Sequence, residues 1–504
     1  MLFNSGTFLL FFPIVTLAYF ILPKKVRWVW LLVASFYFYM CWEPVYALLI
    51  LASIAITYLS GLAIGHYAGN EEKPRRIGMQ KLAVALSFIL NLGILCFFKY
   101  FDFLAENLCN LLALTGIQLT RPKFSILLPV GISFYTFQAL GYTMDVYRGK
   151  IDVERNFFRY ALFVSFFPQL VAGPIERSGN LLRQLRTPTT VNYDRIRKGL
   201  MMMLWGYFLK MVISDRAAVI VNHVFGNFER YAGLTIVFAT MMFAIQIYCD
   251  FGGYSAIAIG AAQVLGFELC QNFRQPYFAT SVADFWHRWH ISLSTWFRDY
   301  LYIPMGGSRR GKLRKWLNVL ITFLVSGLWH GANWSYVLWG GLNGAMQVIG
   351  EWKDLLKNKG KAMLTSKGWK EPESTHSFSA RLLKTLITFC LICLTWVFFR
   401  AESARQGFQI LRQMFMSWNP WVLFDGTLLR IGLTQTQMLW LLVCIAVLFC
   451  VDILHEKGHH LRDELVRQQF WFRVLIYVLG LFSILMFAVY GPGMDASAFI
   501  YFQF

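Results

Sequence analysis

Apolar residues fill long runs of this chain, and such runs recur from its beginning to its end. Those long enough to cross or nearly cross a bilayer as helices are 8–22, 28–40, 45–64, 82–98, 126–144, 200–212, 234–248, 254–267, 382–399, 439–454 and 474–490. A helix that spans the hydrocarbon core needs about 20 apolar residues, and several of these runs are shorter. The pattern therefore predicts an all-α, polytopic membrane protein in which some helices are tilted or partial.

Proline and glycine interrupt some of the apolar stretches. In residues 163–176, FVSFFPQLVAGPIE, they break a run that would otherwise continue as a helix. Asp250, followed by Gly252 and Gly253, predicts a second break between the two runs on either side of it. Because irregular backbone at membrane depth needs protein or a water-filled cavity around it, we expect short and re-entrant pieces that line an internal cavity.

Basic residues cluster between the apolar runs and predict the orientation of the chain. Lys24, Lys25 and Arg27 follow the first run, whereas no basic residue precedes it. Loops rich in Lys and Arg stay in the cytoplasm, so the N-terminus is predicted outside, and continued alternation places the C-terminus outside as well. Further stretches predicted as cytoplasmic are 73–81, 309–315, 351–381 and 457–473.

The apolar segment 316–350 lies between two of these cytoplasmic stretches. It must therefore enter the membrane and return, and the residues WHGAN near its middle supply glycine and asparagine for a turn. From Lys315 to His330 a helix would rise roughly 22 Å, past the middle of a hydrocarbon core of about 30 Å. The segment thus predicts a helical hairpin with His330 near its tip; the alternative is one continuous span over 316–341.

The composition of the chain agrees with a membrane protein. Hydrophobic residues make up 57% of the 504 residues and charged residues 15%, whereas average soluble domains carry about 25% charged residues. We therefore expect one membrane domain over 1–504, with 351–381 as its polar cytoplasmic loop. The net charge of +20 suits basic loops that meet anionic lipid headgroups. Nucleic acid is not an expected partner, because no basic stripe with interleaved aromatic residues lies in a polar region.

One histidine, His330, stands inside the apolar stretch LVSGLWHGANWSYVLW. Ionisable residues within membrane segments are costly and mark functional sites, and a buried, neutral imidazole can take the proton of a hydroxyl in acyl transfer. Trp329, Asn333 and Trp334 flank it and are candidates for substrate binding. The pattern alone leaves open a structural histidine that is hydrogen-bonded to a backbone carbonyl.

A second cluster of polar and aromatic residues, DFWHRWHISLSTWFRDYLYIPMGGSRRG, occupies 284–311. His287 and His290 are three residues apart and would share one face of a helix, which is expected to direct His290 toward the cavity. Arg288 and Arg298, together with the basic run 309–315, would attract a phosphate-rich donor; for the run itself, a solvated loop is the alternative. The cluster's candidates for substrate binding are Trp286, Arg288, Ser292 and Arg298. The alternatives are an amphipathic interfacial helix and a metal site, which is disfavoured because no HExxH-type carboxylate accompanies the histidines.

Polar residues are also scattered through 133–149, 167–177 and 246–255, where we interpret them as the scaffold of the cavity. The chain contains no P-loop, no GxGxxG and no GxSxG motif. A nucleotide-driven motor and a serine hydrolase therefore have no support from sequence motifs.

Four motifs in a fixed order carry a resemblance to a known family. FPQLVAGPIER, DFWHRWHISLSTWFRDYLYIPMGG, FLVSGLWHGANWSYVLWG and the terminal FIYFQF together resemble the membrane-bound O-acyltransferase family, in its branch of bacterial alginate and peptidoglycan O-acetyltransferases. The resemblance implies a bundle of roughly ten to twelve membrane helices around a central tunnel. It also implies that His330 is essential and that His290 is a second important histidine; no role is carried over to His287.

The resemblance further implies a reaction and a place for it. An acyl group, in the first instance acetyl, would pass from a cytoplasmic thioester such as acetyl-CoA to a hydroxyl outside a bacterial inner membrane, with no bound cofactor. The acceptor would be an exopolysaccharide such as alginate or an SGNH-type partner protein that relays the group. Two alternatives remain at this point: D-alanyl transfer from a carrier protein to teichoic acid, and transport of an acyl-glycan or lipid without chemistry.

Overall fold

A computed structural model describes residues 1–69, 74–119, 128–171, 173–231, 233–366 and 377–488. Over these ranges the regular secondary structure is helical, and they contain no β-strand. The chain contacts divide them into two compact units. Unit 1 comprises Met1–Gly206 and Tyr254–Cys270, and unit 2 comprises Tyr207–Gly253 and the described residues from Gln271 onward.

Unit 1 is built from short and medium helices whose buried polar residues bond between helices. Ser53 donates to Oδ1 of Asn91 over 2.5 Å, and the Tyr160 hydroxyl donates to Thr57 over 2.7 Å. Hydrogen bonds of this kind stabilise helix contacts where no water can replace them. Its helices are α1 Gly6–Ile21, α2 Arg27–Met40, α3 Tyr46–His66, α4 Ile77–Leu95, α5 Phe101–Ala113, α6 Ile132–Tyr147, α7 Phe157–Ser165, α8 Phe167–Leu170, α9 Ser178–Leu185 and α10 Tyr193–Tyr207.

The regular secondary structure of unit 2 is also helical. Its helices are α11 Asp215–Phe225, the first part of α12 Gly233–Leu265, α13 Val282–Arg288, α14 Ile291–Phe297, α15 Lys312–His330, α16 Trp334–Thr365, α17 Phe378–Arg400, α18 Ala404–Met416, α19 Gln435–Glu456, α20 Leu461–Val466 and α21 Phe470–Phe487. Turns of π-helix extend α4, α10 and α14 at their C-terminal ends.

Within the ranges that the structure describes, six helical segments are long and apolar enough to cross a bilayer. They are Tyr46–His66, Ile77–Ala113, Gly233–Leu265, Phe378–Arg400, Gln435–Glu456 and Phe470–Phe487. Five of them overlap one apolar run each, and Gly233–Leu265 joins two such runs, 234–248 and 254–267. The agreement confirms the prediction of an all-helical, multi-pass membrane protein. The other apolar runs form helices that are shorter or more polar.

The predicted break at Asp250 is wrong, because α12 continues from Gly233 to Leu265 without interruption. Glycine in the interior of a helix costs only about 1 kcal/mol, which a long, buried helix tolerates. The carboxylate is accommodated by a buried cation instead: Nζ of Lys210 lies 2.5 Å from Asp250 and 2.9 Å from Asp215. A buried charge with a close partner does not require irregular backbone.

The predicted interruption within 163–176 is present. Helix α7 ends at Ser165, and a single turn, α8, follows it. Two side-chain amides, those of Gln138 and Gln169, donate to the carbonyl oxygen of Phe163 over 2.7 and 2.8 Å. These bonds satisfy a backbone group at the end of the broken helix, as membrane-embedded backbone requires.

The stretch 351–381, predicted as a polar loop, is largely helical where the structure describes it. Helix α16 runs on to Thr365 and α17 begins at Phe378, because EWKDLLKNKGKAML consists mostly of good helix formers. The middle of the stretch and the terminal motif FIYFQF lie outside the described residues.

Candidate active site

The turn at WHGAN joins two helices that pack tightly against each other. Helix α15 ends at His330 and α16 begins at Trp334. A Cβ atom built on Gly340 would overlap the carbonyl oxygen of Phe323 and lie 3.1 Å from Cα of Gly327. The two backbones therefore touch along an antiparallel hairpin. Residues 316–350 therefore form a helical hairpin and not one continuous helix; that both ends of the hairpin lie in the cytoplasm stays a prediction.

Small and polar residues fix the turn itself. Oδ1 of Asn333 accepts from the backbone N–H of Ser335 over 2.9 Å, and its Nδ2 donates to the carbonyl of Glu402 over 2.7 Å. A side chain that caps the first free N–H groups of a helix sets its starting point. A Cβ atom on Gly331 would overlap the ring of Tyr336, so only glycine fits there.

The second histidine lies at another helix break. Helix α13 ends at Arg288, α14 begins at Ile291, and His290 between them adopts a left-handed conformation with φ of 44°. Among the described residues, Gln275 is the other non-glycine residue with positive φ. Such a conformation costs about 1–3 kcal/mol, and it persists only where the surroundings enforce it.

Asn272 provides that enforcement. Its carbonyl accepts from the N–H of Ile291 over 2.9 Å, and its Oδ1 accepts from the hydroxyl of Ser292 over 2.6 Å. The N–H of Arg274 donates in turn to the carbonyl of Arg288 over 2.9 Å. The segment from Asn272 to Arg274 thus holds both sides of the break and determines where the His290 ring points.

Because of the break, the two histidines of this cluster differ in solvent exposure. His287 is exposed, whereas His290 is fully buried. The prediction that they share a helix face is wrong, since the helix ends between them. His290 lies outside the six apolar spans, and burial lowers its pKa to about 3, so its imidazole is neutral near pH 7. No group of three or more His, Cys, Asp or Glu side chains suited to a metal ion occurs within the described ranges.

The structure brings His290 and His330 together. Their ring centroids are 6.4 Å apart, and the exposed fraction of His330 is 4%. The Trp329 ring lies 5.0 Å from His330 and 6.1 Å from His290, so it contacts both. Two buried imidazoles and one indole therefore form the centre of the candidate site.

Aromatic side chains surround this centre. Trp339 lies 5.0 Å from the His330 ring, and Phe399 lies 5.4 Å from it. Trp396 stacks on Trp339 at 5.7 Å, and Trp286 meets the same ring at 5.6 Å. An apolar wall of this kind keeps water away and strengthens the electrostatic effect of each polar group inside it.

The remaining sequence candidates lie away from the histidine pair or are engaged by other groups. Trp334 is 56% exposed. The Arg298 side chain is also exposed and pairs with Asp299 at 2.9 Å. Arg288 pairs with Asp284 at 2.8 Å and with Glu456 of α19 at 2.7 Å, which ties α13 to the last third of the chain.

Sequence reasoning missed four residues of the site. They are Asn272, Trp339, Trp396 and Phe399. Trp396 and Phe399 are three residues apart on α17 and so share a face, but they stand in an ordinary apolar run. Asn272 stands in a short polar stretch, QNFRQ, that matches no known motif. The contacts of Asn272, Trp396 and Phe399 are made across the fold, and no local pattern signals them, whereas Trp339 lies in the same motif as His330.

Replacing Asn272 with alanine is expected to lower acyl transfer about tenfold with only modest destabilisation. The buried Ser292 hydroxyl would lose its acceptor, which typically costs about 1–3 kcal/mol, and the strained His290 backbone would lose a support. Turnover with the purified protein checks this, and Asn227→Ala, at an exposed asparagine, is the matched control. Unchanged turnover in Asn272→Ala would remove the positioning role.

Comparison with known proteins identifies the class. The model of the membrane-bound O-acyltransferase family matches residues 152–351, a range that contains both histidines. The chain is 36% identical over 454 residues to the probable alginate O-acetylase of Pseudomonas aeruginosa, covering 89% of this chain and 81% of that protein. It is 33% identical over 446 residues to the peptidoglycan O-acetyltransferase of Helicobacter pylori, covering 82% and 80%.

A more distant similarity extends to a third activity. The teichoic acid D-alanyltransferase of Bacillus subtilis is 25% identical over 302 residues, which cover 56% of this chain and 71% of that protein. All three relatives transfer an acyl group, as their names state. The family resemblance inferred from the four motifs is confirmed, and the protein is an O-acyltransferase. This multi-pass membrane protein belongs to the membrane-bound O-acyltransferase family.

Proposed function

We propose that this protein transfers an acetyl group from cytoplasmic acetyl-CoA to a hydroxyl of an extracytoplasmic polysaccharide, either directly or through a partner protein that relays the group. The observation that carries the proposal is the buried His290–His330 pair, 6.4 Å apart at two helix breaks and enclosed by aromatic rings. A neutral imidazole in a dry pocket suits general-base catalysis of acyl transfer.

His330 acts as the general base in this mechanism. It takes the proton of the acceptor hydroxyl while the oxygen attacks the thioester carbonyl; the ester C–O bond forms, the C–S bond breaks, and the proton passes to the departing CoA thiolate. His290 donates an N–H toward the developing oxyanion or orients the thioester. Trp329, in contact with both rings, and Trp286, in the aromatic wall, confine the reactants.

The other proposed substrate-binding residues act less directly. Ser292 and Asn333 hold the two helix breaks through their hydrogen bonds. We propose a peripheral role for Arg288, Arg298 and Trp334, which would contact the donor or acceptor at a distance from the two histidines. The two arginines are in ion pairs, and Trp334 is exposed.

Acetyl is favoured over D-alanyl as the transferred group by the pattern of similarity. The relatives named as O-acetyltransferases align with more than four fifths of this chain, whereas the one named as a D-alanyltransferase aligns with 56% of it. We propose alginate or a related surface glycan as the final acceptor, and an SGNH-type protein as the relay where one is used.

The topology follows from the basic loops and the hairpin. We propose a bacterial inner-membrane protein that is one domain over its whole length, with ten to twelve membrane helices and both termini extracytoplasmic. Helices α15 and α16 form a re-entrant hairpin that enters from the cytoplasm, so His330 lies roughly 22 Å along α15 from Lys315, near the membrane centre. Donor and acceptor then reach it through a tunnel from opposite sides.

Isotope-labelled donor tests the proposed reaction. Inverted membrane vesicles from cells that express the protein are given deuterated acetyl-CoA, and the glycans are analysed by mass spectrometry. We expect deuterated acetyl esters on the glycan and release of free CoA in step with them. No label from acetyl-CoA, but label from deuterated D-alanine supplied on its carrier protein, would favour the D-alanyl alternative and contradict acetyl transfer.

A further inference from the structure

A cationic cavity in unit 1 lies outside the histidine site. Its volume is about 260 Å³, and it is formed where the loop between α1 and α2 meets α7 and the segment that follows α9. Three separate parts of the chain therefore direct positive charge into one space. Its basic lining residues are Lys24, Lys25, Arg27, Arg159 and Arg186.

The positive charge of this cavity is only partly balanced. Among the residues that the structure describes, no aspartate or glutamate lines it. The buried carboxylate of Glu154 lies behind the wall, 2.9 Å from Arg186 and 3.6 Å from Arg159. Against five basic side chains this single carboxylate leaves a strong local excess of positive charge.

The guanidinium of Arg27 is held in a fixed position at which it can bind an anionic ligand. Its Nε, Nη1 and Nη2 atoms donate to the carbonyl oxygens of Leu22, Thr189 and Phe20, over 2.9, 2.7 and 2.9 Å. These acceptors are neutral, as are the rings of Tyr19 and Phe20, whose centroids lie 5.5 and 5.8 Å from Cζ of Arg27. They hold the guanidinium in position and leave it a net positive charge. A fixed guanidinium with its charge available is a good recognition group for phosphate.

The remaining walls are apolar. Trp28, Leu31 and Phe267 line the cavity beside the basic residues. A small inorganic anion makes no favourable contact with such a surface, whereas a phosphate that carries an apolar group can pack that group against it. Three of the basic residues, Lys24, Lys25 and Arg27, also stand directly after the first apolar helix, where a phospholipid headgroup would lie at the membrane surface.

From this arrangement we infer that the cavity binds the phosphate group of an amphiphilic ligand, with an anionic membrane phospholipid as the favoured source. Coenzyme A carries phosphates of the same chemistry and is the other source. The inference is independent of the proposed reaction at His330, because the site is assembled from other residues and predicts binding rather than turnover.

Lipid binding to the full-length, delipidated protein tests the inference. Native mass spectrometry measures retention of phosphatidylglycerol against phosphatidylcholine in the wild type and in the double variant Lys24→Ala/Lys25→Ala. Both lysines are exposed, so the fold should survive, and the melting temperature without lipid verifies this. The double variant Lys357→Ala/Lys359→Ala, at exposed basic residues outside the cavity, is the matched control.

We expect the wild type and the control to prefer phosphatidylglycerol, and Lys24→Ala/Lys25→Ala to bind it roughly 30-fold more weakly, since each basic residue near an anionic surface contributes about fivefold. Coenzyme A that binds instead, with the same dependence on the two lysines, would support the phosphate site and identify its source. The inference would be overturned if the wild type and Lys24→Ala/Lys25→Ala bound phosphatidylglycerol and coenzyme A equally well, or if the wild type bound neither ligand.

Discussion

Replacing His330 with alanine is expected to abolish acetyl transfer while the protein still folds and inserts. The ring is buried between Trp329, Trp339 and Phe399, 6.4 Å from His290. Loss of a general base typically lowers the rate by about 10²–10⁴-fold, which corresponds to roughly 3–5 kcal/mol of barrier. Because the neighbouring rings are large, the vacated space costs stability as well, but the hairpin contacts of α15 and α16 remain.

The measurement is the initial rate of CoA release with a glycan acceptor, together with the melting temperature in detergent. His287→Ala is the matched control, because it removes an exposed histidine three residues before His290. We expect this control to retain the wild-type rate. A His330→Ala protein that keeps a tenth or more of the wild-type rate would exclude His330 as the base.

The second large effect is expected at Gly340. An alanine there would drive its Cβ into the carbonyl oxygen of Phe323, and because that atom belongs to the backbone of the packed helix, side-chain rotation cannot relieve the overlap. Overpacked sites typically lose about 1–3 kcal/mol and occasionally more. We expect the upper end of this range, a clear fall in melting temperature and a loss of activity, since the hairpin carries His330 at its turn.

Gly350→Ala is the matched control for this substitution. Gly350 lies in the same helix α16, and nothing stands within 4 Å of a Cβ atom built on it. Alanine is a better helix former than glycine by about 1 kcal/mol, so the control should be neutral or slightly stabilising. Equal thermal stability of the Gly340→Ala protein and the wild type would contradict the close packing of the two helices.

The hairpin and its histidine could be predicted from the sequence because their signals are local. An apolar run between two basic stretches has to turn back, and WHGAN supplies the residues for the turn. The same local logic failed at Asp250, where Lys210 and Asp215 balance the charge. Neither of these partners is adjacent in the sequence, so a polar residue beside glycines looked like a break although the helix continues.

The enclosure of the site could not be predicted, because it depends on contacts between distant segments. Asn272 fixes the His290 break from eighteen positions earlier in the chain, through one carbonyl and one amide oxygen. Trp396 and Phe399 reach Trp339 and His330 from α17. Histidine is among the residues enriched at positive φ, but this preference is too weak to place a break at His290 from sequence alone.

The most direct test measures whether acetyl transfer from one side of the membrane to the other depends on His330. The protein is reconstituted in liposomes with cytoplasmic loops outward, deuterated acetyl-CoA is added outside, and a glycan acceptor, with its relay protein if needed, is enclosed inside. We predict that wild type labels the enclosed acceptor, that His330→Ala does not, and that His287→Ala matches wild type. Label found only on acceptor that shares the donor's side, or equal labelling by His330→Ala, would contradict transfer across the membrane at His330.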